Sequence, residues 1–426
     1  MPTSATPSAR IRNVALVGHG GAGKTTLAEA LLFTSGAIPR QGRVEDGTTV
    51  CDFEPEEIKR SISVATSLAT FEHLGHKINL LDCPGYADFL PEVEAALRIA
   101  DLAVFVVSAV EGVEVQTEIV WKLADELGLP RLIFVNMEDR ERADFERVLA
   151  QLQDRFGRGV SPLELPLDEE AGFHAVVDLL TDTAIVYDDE QGHHHDEPVP
   201  LAVAAHEHEV HDALVEGIVE ADDALMERYL EGEMPSAKEL EATLAKGVLA
   251  GTVFPVICGS AQRDIGVDRL ATFICEIGPS PLDRPPVVAE AAGEMHEITC
   301  DPNGPPLAVV WKTIVDRHVG KVSLFKVLSG TVRPDVVLAN PRSHGDERLH
   351  SLFTLRGKEH VALQEVPAGD IAAVAKLSDT ATGDTLAPKG TPVVVHTILP
   401  PTPLLSVGIA PRSQGDDDKL MSSLHR

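Results

Sequence analysis

Val14-Ala15-Leu16-Val17-Gly18-His19-Gly20-Gly21-Ala22-Gly23-Lys24-Thr25-Thr26 runs from an aliphatic strand through a glycine-rich turn into a helix that reads on to Phe33. The turn matches G-x-x-x-x-G-K-[ST], and its place between strand and helix is the context that gives the pattern weight. The glycines let backbone N–H groups wrap a polyphosphate, and the helix N-terminus adds its positive end. Lys24 is expected to reach the β- and γ-phosphates and Thr25 to ligate magnesium, with the whole run from Gly18 to Thr26 at the nucleotide.

Working outward, short aliphatic runs alternate with helical patterns as far as Ile274. Ile78-Asn79-Leu80-Leu81 reads as a strand, as do Leu102 to Val107, Leu132 to Val135 and Val253 to Ile257, with helices such as Glu114 to Leu127 as crossovers. Apolar strands alternating with helices predict an α/β fold with a parallel sheet covered on both faces. Three of these strands end on short polar motifs. Asp82-Cys83-Pro84-Gly85 follows the Ile78 strand: Asp82 can hold magnesium through water, and the Gly85 amide can sense a γ-phosphate. Asn136-Met137-Glu138-Asp139 follows the Leu132 strand with the Asn-to-Asp spacing of N-K-x-D. There Asp139 accepts from two guanine N–H groups while Asn136 braces the loop. An acceptor left unpaired against the wrong base costs selectivity on the order of 10⁴-fold, so a GTP rather than an ATP site is expected. Met137 stands where a lysine is usual; its thioether can lie along the purine, and weaker nucleotide binding follows. Gly259-Ser260-Ala261, after the last strand, can offer backbone N–H groups to guanine O6.

The rest of the chain divides by composition. Between Arg140 and Thr252 the pattern loosens, and the stretch at about 157–252 reads as an α/β subdomain inserted into a nucleotide-binding domain of residues 1–285. Helices are expected near Ala143 to Phe156, just ahead of it, and near Glu207 to Leu230 and Ala237 to Leu249 within it. Arg284-Pro285-Pro286 opens a linker over 286–302. Short glycine-punctuated strands over 303–400 predict an all-β barrel. After Pro400-Pro401-Thr402-Pro403, residues 401–426 read as one strand and the start of a helix at Asp416 to Leu424, as if a third domain were cut short.

With 36 basic against 67 acidic residues among 426, the formal charge is −31, which argues against a protein that coats free DNA electrostatically. The five scattered cysteines form no C-x-x-C pair, so a reducing cytoplasm is expected. No segment reaches the ~18–20 apolar residues of a membrane helix.

These motifs together resemble elongation factor G along essentially the whole length. Gly47-Thr48-Thr49-Val50-Cys51-Asp52 resembles the family's segment ahead of its first switch, and Lys59-Arg60-Ser61-Ile62-Ser63-Val64 lies where the family has its R-G-I-T-I switch. Cys258-Gly259-Ser260-Ala261 resembles the guanine loop. Val319-Gly320-Lys321, Ser329-Gly330-Thr331, Ala368 to Val374 and Thr382 to Leu386 resemble the second domain, and Leu405-Ser406-Val407 the opening of the third. The resemblance implies a translational GTPase with GTP or GDP and magnesium, the metal held by Thr25, Ser63 and Asp82, and Lys24, Gly85 and Tyr86 at the reacting phosphate. It implies a partner, the 70S ribosome at the large-subunit GTPase centre, met through the switch regions and the second domain by a monomer. A translocation or recycling role is the reading this favours; ribosome protection or termination shares the front domains. Two departures bear on the chemistry. Ser63 replaces the switch threonine, though its hydroxyl can still meet magnesium. Tyr86 replaces the histidine that positions the attacking water. A phenol with pKa near ~10 stays neutral and cannot carry imidazolium charge. The alternative is therefore a GTP-switched ribosome binder with little or no hydrolysis.

Other features read as structural. His193-His194-His195, among Asp188, Asp189, Glu190, Asp196 and Glu197, is expected as a solvated loop, because adjacent residues rarely face one ion. His206, His208 and His211 lack the H-E-x-x-H spacing. Asp416-Asp417-Asp418 suits a helix start. Arg317, His318 and Lys321 stand equally as an exposed turn or a contact to ribosomal RNA.

Overall fold

The computed structural model describes residues 6–189, 192–220, 222–316, 319–390, 392–395, 406–411, 413–416 and 419–420. Glu190, Arg317, His318, the proline cluster at 400–403, Leu404, Leu405, Asp417, Asp418 and Leu424 therefore lie outside the described residues.

Strand β1 (Ile11–Val17) is buried at every position, as befits a central parallel strand covered on both faces. It leads into α1 (Lys24–Thr34). Then follow α2 (Pro55–Arg60), the β2 (Ser67–His73) and β3 (His76–Asp82) ribbon, α3 (Leu90–Ile99), β4 (Leu102–Ser108), α4 (Val115–Glu126), β5 (Arg131–Asn136) and α5 (Phe145–Phe156). Strands β4 and β5, written LAVFVVS and RLIFVN, are likewise wholly buried.

Next come β6 (Val160–Pro162), β7 (Glu164–Pro166), β8 (Ala175–Asp178), β9 (Thr183–Tyr187), β10 (His194–Pro198), α6 (Ala204–Val219), α7 (Asp223–Leu230) and α8 (Ala237–Ala250). The domain closes with β11 (Phe254–Cys258) and α9 (Val267–Glu276). The main sheet has the order β2-β3-β1-β4-β5-β11-β6 and is parallel except for β2 against β3. The insert carries its own antiparallel sheet, β10-β9-β8-β7. The strands of this α/β insert had been expected without positions, and the expected histidine loop is in part the exposed edge strand β10. The single helical stretch expected over 207–230 is two helices, because the Asp222 side chain accepts from Leu225 N and caps a new one.

Residues 286–302, expected as a linker, fold as a hairpin of β12 (Val287–Ala291) and β13 (Glu294–Ile298). Ala292 and Gly293 turn it with φ of 54° and 84°, the two positive values of a type I′ turn. The second domain is all antiparallel: β14 (Leu307–Asp316), β15 (Gly320–Ser329), β16 (Thr331–Val332), β17 (Val336–Asn340), β18 (Gly345–Leu349), β19 (Leu352–Arg356), β20 (Glu359–Leu363), β21 (Val366–Pro367), β22 (Ile371–Ala375), β23 (Thr385–Leu386) and β24 (Val393–Val394). The order β20-β19-β22-β15-β14-β23 forms its main sheet around Val310, Phe325, Leu338 and Val374.

A buried polar chain joins the two domains. Lys77 Nζ donates to Asp370 Oδ2 at 2.7 Å, and Asn79 Nδ2 to Asp370 Oδ1 at 2.9 Å. Asn13 Nδ2 donates to Asp101 Oδ2 at 2.6 Å and to Gly369 O at 2.7 Å, while Lys326 Nζ reaches Asp101 Oδ1 at 2.8 Å. These groups leave the C-terminal ends of β1, β3, β5 and β11 open, where α/β sheets bind their ligands.

Candidate functional site

Those strand ends surround one cavity of about 370 Å³. On one side the chain leaves β1 at Gly18, whose φ of 137° and whose position 2.3 Å from Val106 O (for an added Cβ) exclude any side chain. Gly23 starts α1 in the left-handed conformation and no side chain caps the helix, so its first amides stay open to an anion. Lys24, buried, donates to Gly18 O at 3.0 Å and His19 O at 2.8 Å. Burial pushes its pKa down, against the pull of Asp82.

Beside Lys24, four oxygen-bearing side chains converge. Thr25 Oγ1 donates to Asp82 Oδ2 at 2.8 Å and stands 3.1 Å from Ser63 Oγ. Asp52, buried, lies beside them, and burial pushes its carboxyl up against the pull of Ser63, Lys24 and Thr25. Burial first, then the charge of Asp52, pushes the Asp82 carboxyl up to about 8, and its Oδ1 is buried without a partner. Two facing carboxylates, two hydroxyls and an orphaned oxygen fit a hard divalent cation, which takes oxygen ligands and removes the like-charge repulsion. Ser63 is held there by Glu57, whose buried carboxylate accepts from Val64 N at 3.1 Å and Ala65 N at 3.3 Å. Glu29 does the same for the preceding loop, accepting from Gly42 N at 2.9 Å and from Val50 N.

Gly85 packs on the glycine-rich loop: a Cβ there would stand 2.4 Å from Lys24 Nζ and 2.6 Å from Gly20 N. Next to it the half-exposed Tyr86 ring covers Gly20, with ring carbons 3.0 Å from where a Gly20 Cβ would be. Tyr86 is thus beside the loop expected to hold phosphate.

At the far end Asn136 joins two loops, donating to Ala22 O at 2.9 Å and accepting from Ala261 N at 3.0 Å. Asp139 faces the cavity with its Oδ1 unpartnered. Met137, at φ 72°, lies with its methyl against Gly23.

Some expected residues do not face the cavity. Glu138 is fully buried behind it, its two carboxylate oxygens without partners. Burial, Glu169, Asp144 and Asp139 together push its carboxyl up to about 9. Cys83 is fully buried and its thiol is pushed up to about 12, chiefly by burial. Gly18, Ala22 and Pro84 are buried backbone supports, and His19 turns to Glu114 at 3.3 Å. The amides of Gly259, Ser260 and Ala261 donate here to Val135 O, Ile265 O and Asn136 Oδ1. Asp52, Ser61 and Ile62, from the segments that resemble the first switch, also line the cavity, as do Gln41 to Glu45, Arg140 and Gln262, which no motif had pointed to. Arg140 and Gln262, joined at 2.5 Å, each stand one residue beyond a motif that was read, which was the available signal.

The insert's histidines pair separately. His193 meets Asp189 at 2.8 Å, His194 meets Asp268 at 3.3 Å and His195 meets Asp188 at 3.1 Å, with no common focus. Donor atoms of Asp182, Glu207 and His211 do come within 4.8 Å of one another. However, His211 Nδ1, 3.3 Å from Asp182, donates to Leu179 O at 2.7 Å, so that nitrogen carries a proton and is no ligand. In the second domain Lys321, on β15, is paired in register with Val315 on β14.

Residues 9–280 match the family model described as Elongation factor Tu GTP binding domain, and residues 305–389 match Elongation factor G domain 2. Among solved structures, the crystal structure of ttk003000868 from Thermus thermophilus is 35% identical with a TM-score of 0.87. The alignment covers 98% of this chain and 60% of that one, so the chain spans about three fifths of its relative's length.

Proposed function

The chain belongs to the GTP-binding translation factors of the elongation factor Tu and G type, and on that premise we propose that it is an EF-G-like switch that binds GTP with magnesium and acts on the ribosome. The observation that carries this reading is the convergence of the P-loop, the Ser63 strap, the Asp82–Tyr86 turn and the Asn136–Asp139 loop on one cavity. In this reading Lys24 and the amides opening α1 bind the phosphates, and Asp139 accepts from guanine. Thr25, Ser63 and Asp82, with Asp52 behind them, would hold magnesium, which neutralises charge developing on the phosphate oxygens. Asn136 keeps the base loop and the P-loop in register. The partner expected is the large-subunit GTPase centre, met by a cytoplasmic monomer through the switch segments and second domain. No helix among the described residues is long and apolar enough to cross a membrane.

Hydrolysis depends on Tyr86. Its ring lies on Gly20 at the phosphate end, so it is placed to orient water, but a neutral phenol lacks the charge of an imidazolium. GTP turnover with and without ribosomes, in the wild type and Tyr86→His, tests the reading. Ribosome stimulation is expected in both, with the histidine variant faster by roughly 10–100-fold. Stimulation confined to Tyr86→His would favour the GTP-switched binder. Failure of the wild type to bind either guanine nucleotide would sink both.

A further inference from the structure

Strand β14 is irregular between Val310 and Lys312, where its register against β15 slips. A bulge of this kind re-aims a side chain. Lys312 Nζ donates out of the second domain to Thr66 O at 2.9 Å and to Glu92 Oε2 at 2.5 Å. The same Glu92 oxygen accepts from Thr66 N at 2.9 Å, and Thr66 Oγ1 donates to Glu92 O at 3.1 Å. The three residues form a closed ring, with the lysine 13% and the glutamate 35% exposed, and charge-assisted bonds are stronger than neutral ones.

What the ring joins gives it meaning. Thr66 ends the strap that presents Ser63 to Thr25. Glu92 lies in the first turn of α3, six residues past Tyr86, and Lys312 belongs to the β domain. We propose that Lys312 is a positioning residue that holds the Ser63 strap and the Gly85–Tyr86 turn to the second domain as one unit, so that a γ-phosphate sensed by both segments is passed to that domain. This rests on the guanine-nucleotide reading above. A GDP-bound chain presents no γ-phosphate to these segments, so only the triphosphate gains from their alignment.

Two readouts test it on the whole chain. The first is affinity for GDP and for a non-hydrolysable GTP analogue in the wild type, Lys312→Met, Lys312→Arg and Glu92→Gln. Lys312→Met and Glu92→Gln should each weaken the analogue by about tenfold, roughly one such bond, and leave GDP within about twofold. Lys312→Arg, which keeps the charge and donors, should recover most of the loss. The second is amide hydrogen exchange on the nucleotide-free chain, where Lys312→Met should speed exchange over both 61–66 and 86–92. An unchanged GTP-to-GDP ratio, an equal loss for both nucleotides or faster exchange in one segment alone overturns the proposal. If the wild type binds neither nucleotide, the function reading falls by itself. The exchange comparison then decides: acceleration in both segments upholds the tie, and its absence rejects it.

Discussion

Among single residues, Glu138 poses the sharpest problem for stability. It sits between Met137 and Asp139, which line the cavity, yet its carboxyl is fully buried with both oxygens unpartnered. Folded, it keeps its proton up to about pH 9, against an ordinary value of 4.5. Below the ordinary value the group is protonated in both states and costs nothing differential. As pH rises from there toward 9, the unfolded chain gains ionisation free energy that the folded chain cannot, so stability falls throughout that window and then levels off. Glu138→Met, apolar and similar in length, should therefore raise the unfolding midpoint of the nucleotide-free chain. The gain should be greater at about pH 8 than at about pH 5. A gain that does not vary with pH would mean that the proton is not the cause. The sequence placed this residue in a motif but could not say which way it faced, because N-x-x-D fixes the outer two positions and leaves the inner two to packing.

Among elements, legibility followed how local the determining chemistry is. The P-loop was readable because its glycine spacing, strand and helix lie within a few residues of one another. Asp82 and Asn136 were readable because each ends a run of buried aliphatics. The insert strands were not: β10 is HHDEP, with no apolar alternation, and it pairs only because β9 supplies a neighbour. The β12–β13 hairpin was hidden for a different reason. Its turn places an alanine at φ 54°, where the usual residues are Asn, Asp or Gly. Left-handed backbone costs an L-residue with a Cβ roughly 1–2 kcal/mol, and Asn escapes part of it. Ala292→Asn is expected to stabilise the hairpin by about 0.5–1 kcal/mol, seen as slower amide exchange across Val287–Ile298 with nucleotide affinity unchanged. Faster exchange there would show that the alanine fits its turn for a reason of packing.

For the whole molecule, the unreadable part was how the two domains meet. Asn13, Asn79 and Lys77 look out of place in aliphatic strands, and their partners Asp370, Asp101 and Gly369 are far away in sequence or in another domain. Removing one member strands a buried charge, which typically costs about 3–5 kcal/mol, whereas replacing both with apolar groups is often neutral. Lys77→Met should therefore lower the denaturation midpoint severely. Lys77→Met with Asp370→Leu should recover most of it, as chemical denaturation of the two variants would reveal; equal damage from both would mean that the pair is no unit. At this scale the exposed edge strand of the insert also has a consequence. A free strand edge is a template on which another chain can lay down backbone bonds and grow. In β10 that edge carries His194, His195, Asp196 and Glu197, all exposed. Imidazoles take up charge in acid and carboxylates hold theirs at neutral pH. At no acidity is the strand without charge, and docking a second copy would strip water from ions. The insert can present an unpaired ribbon to a crowded solution without seeding fibrils.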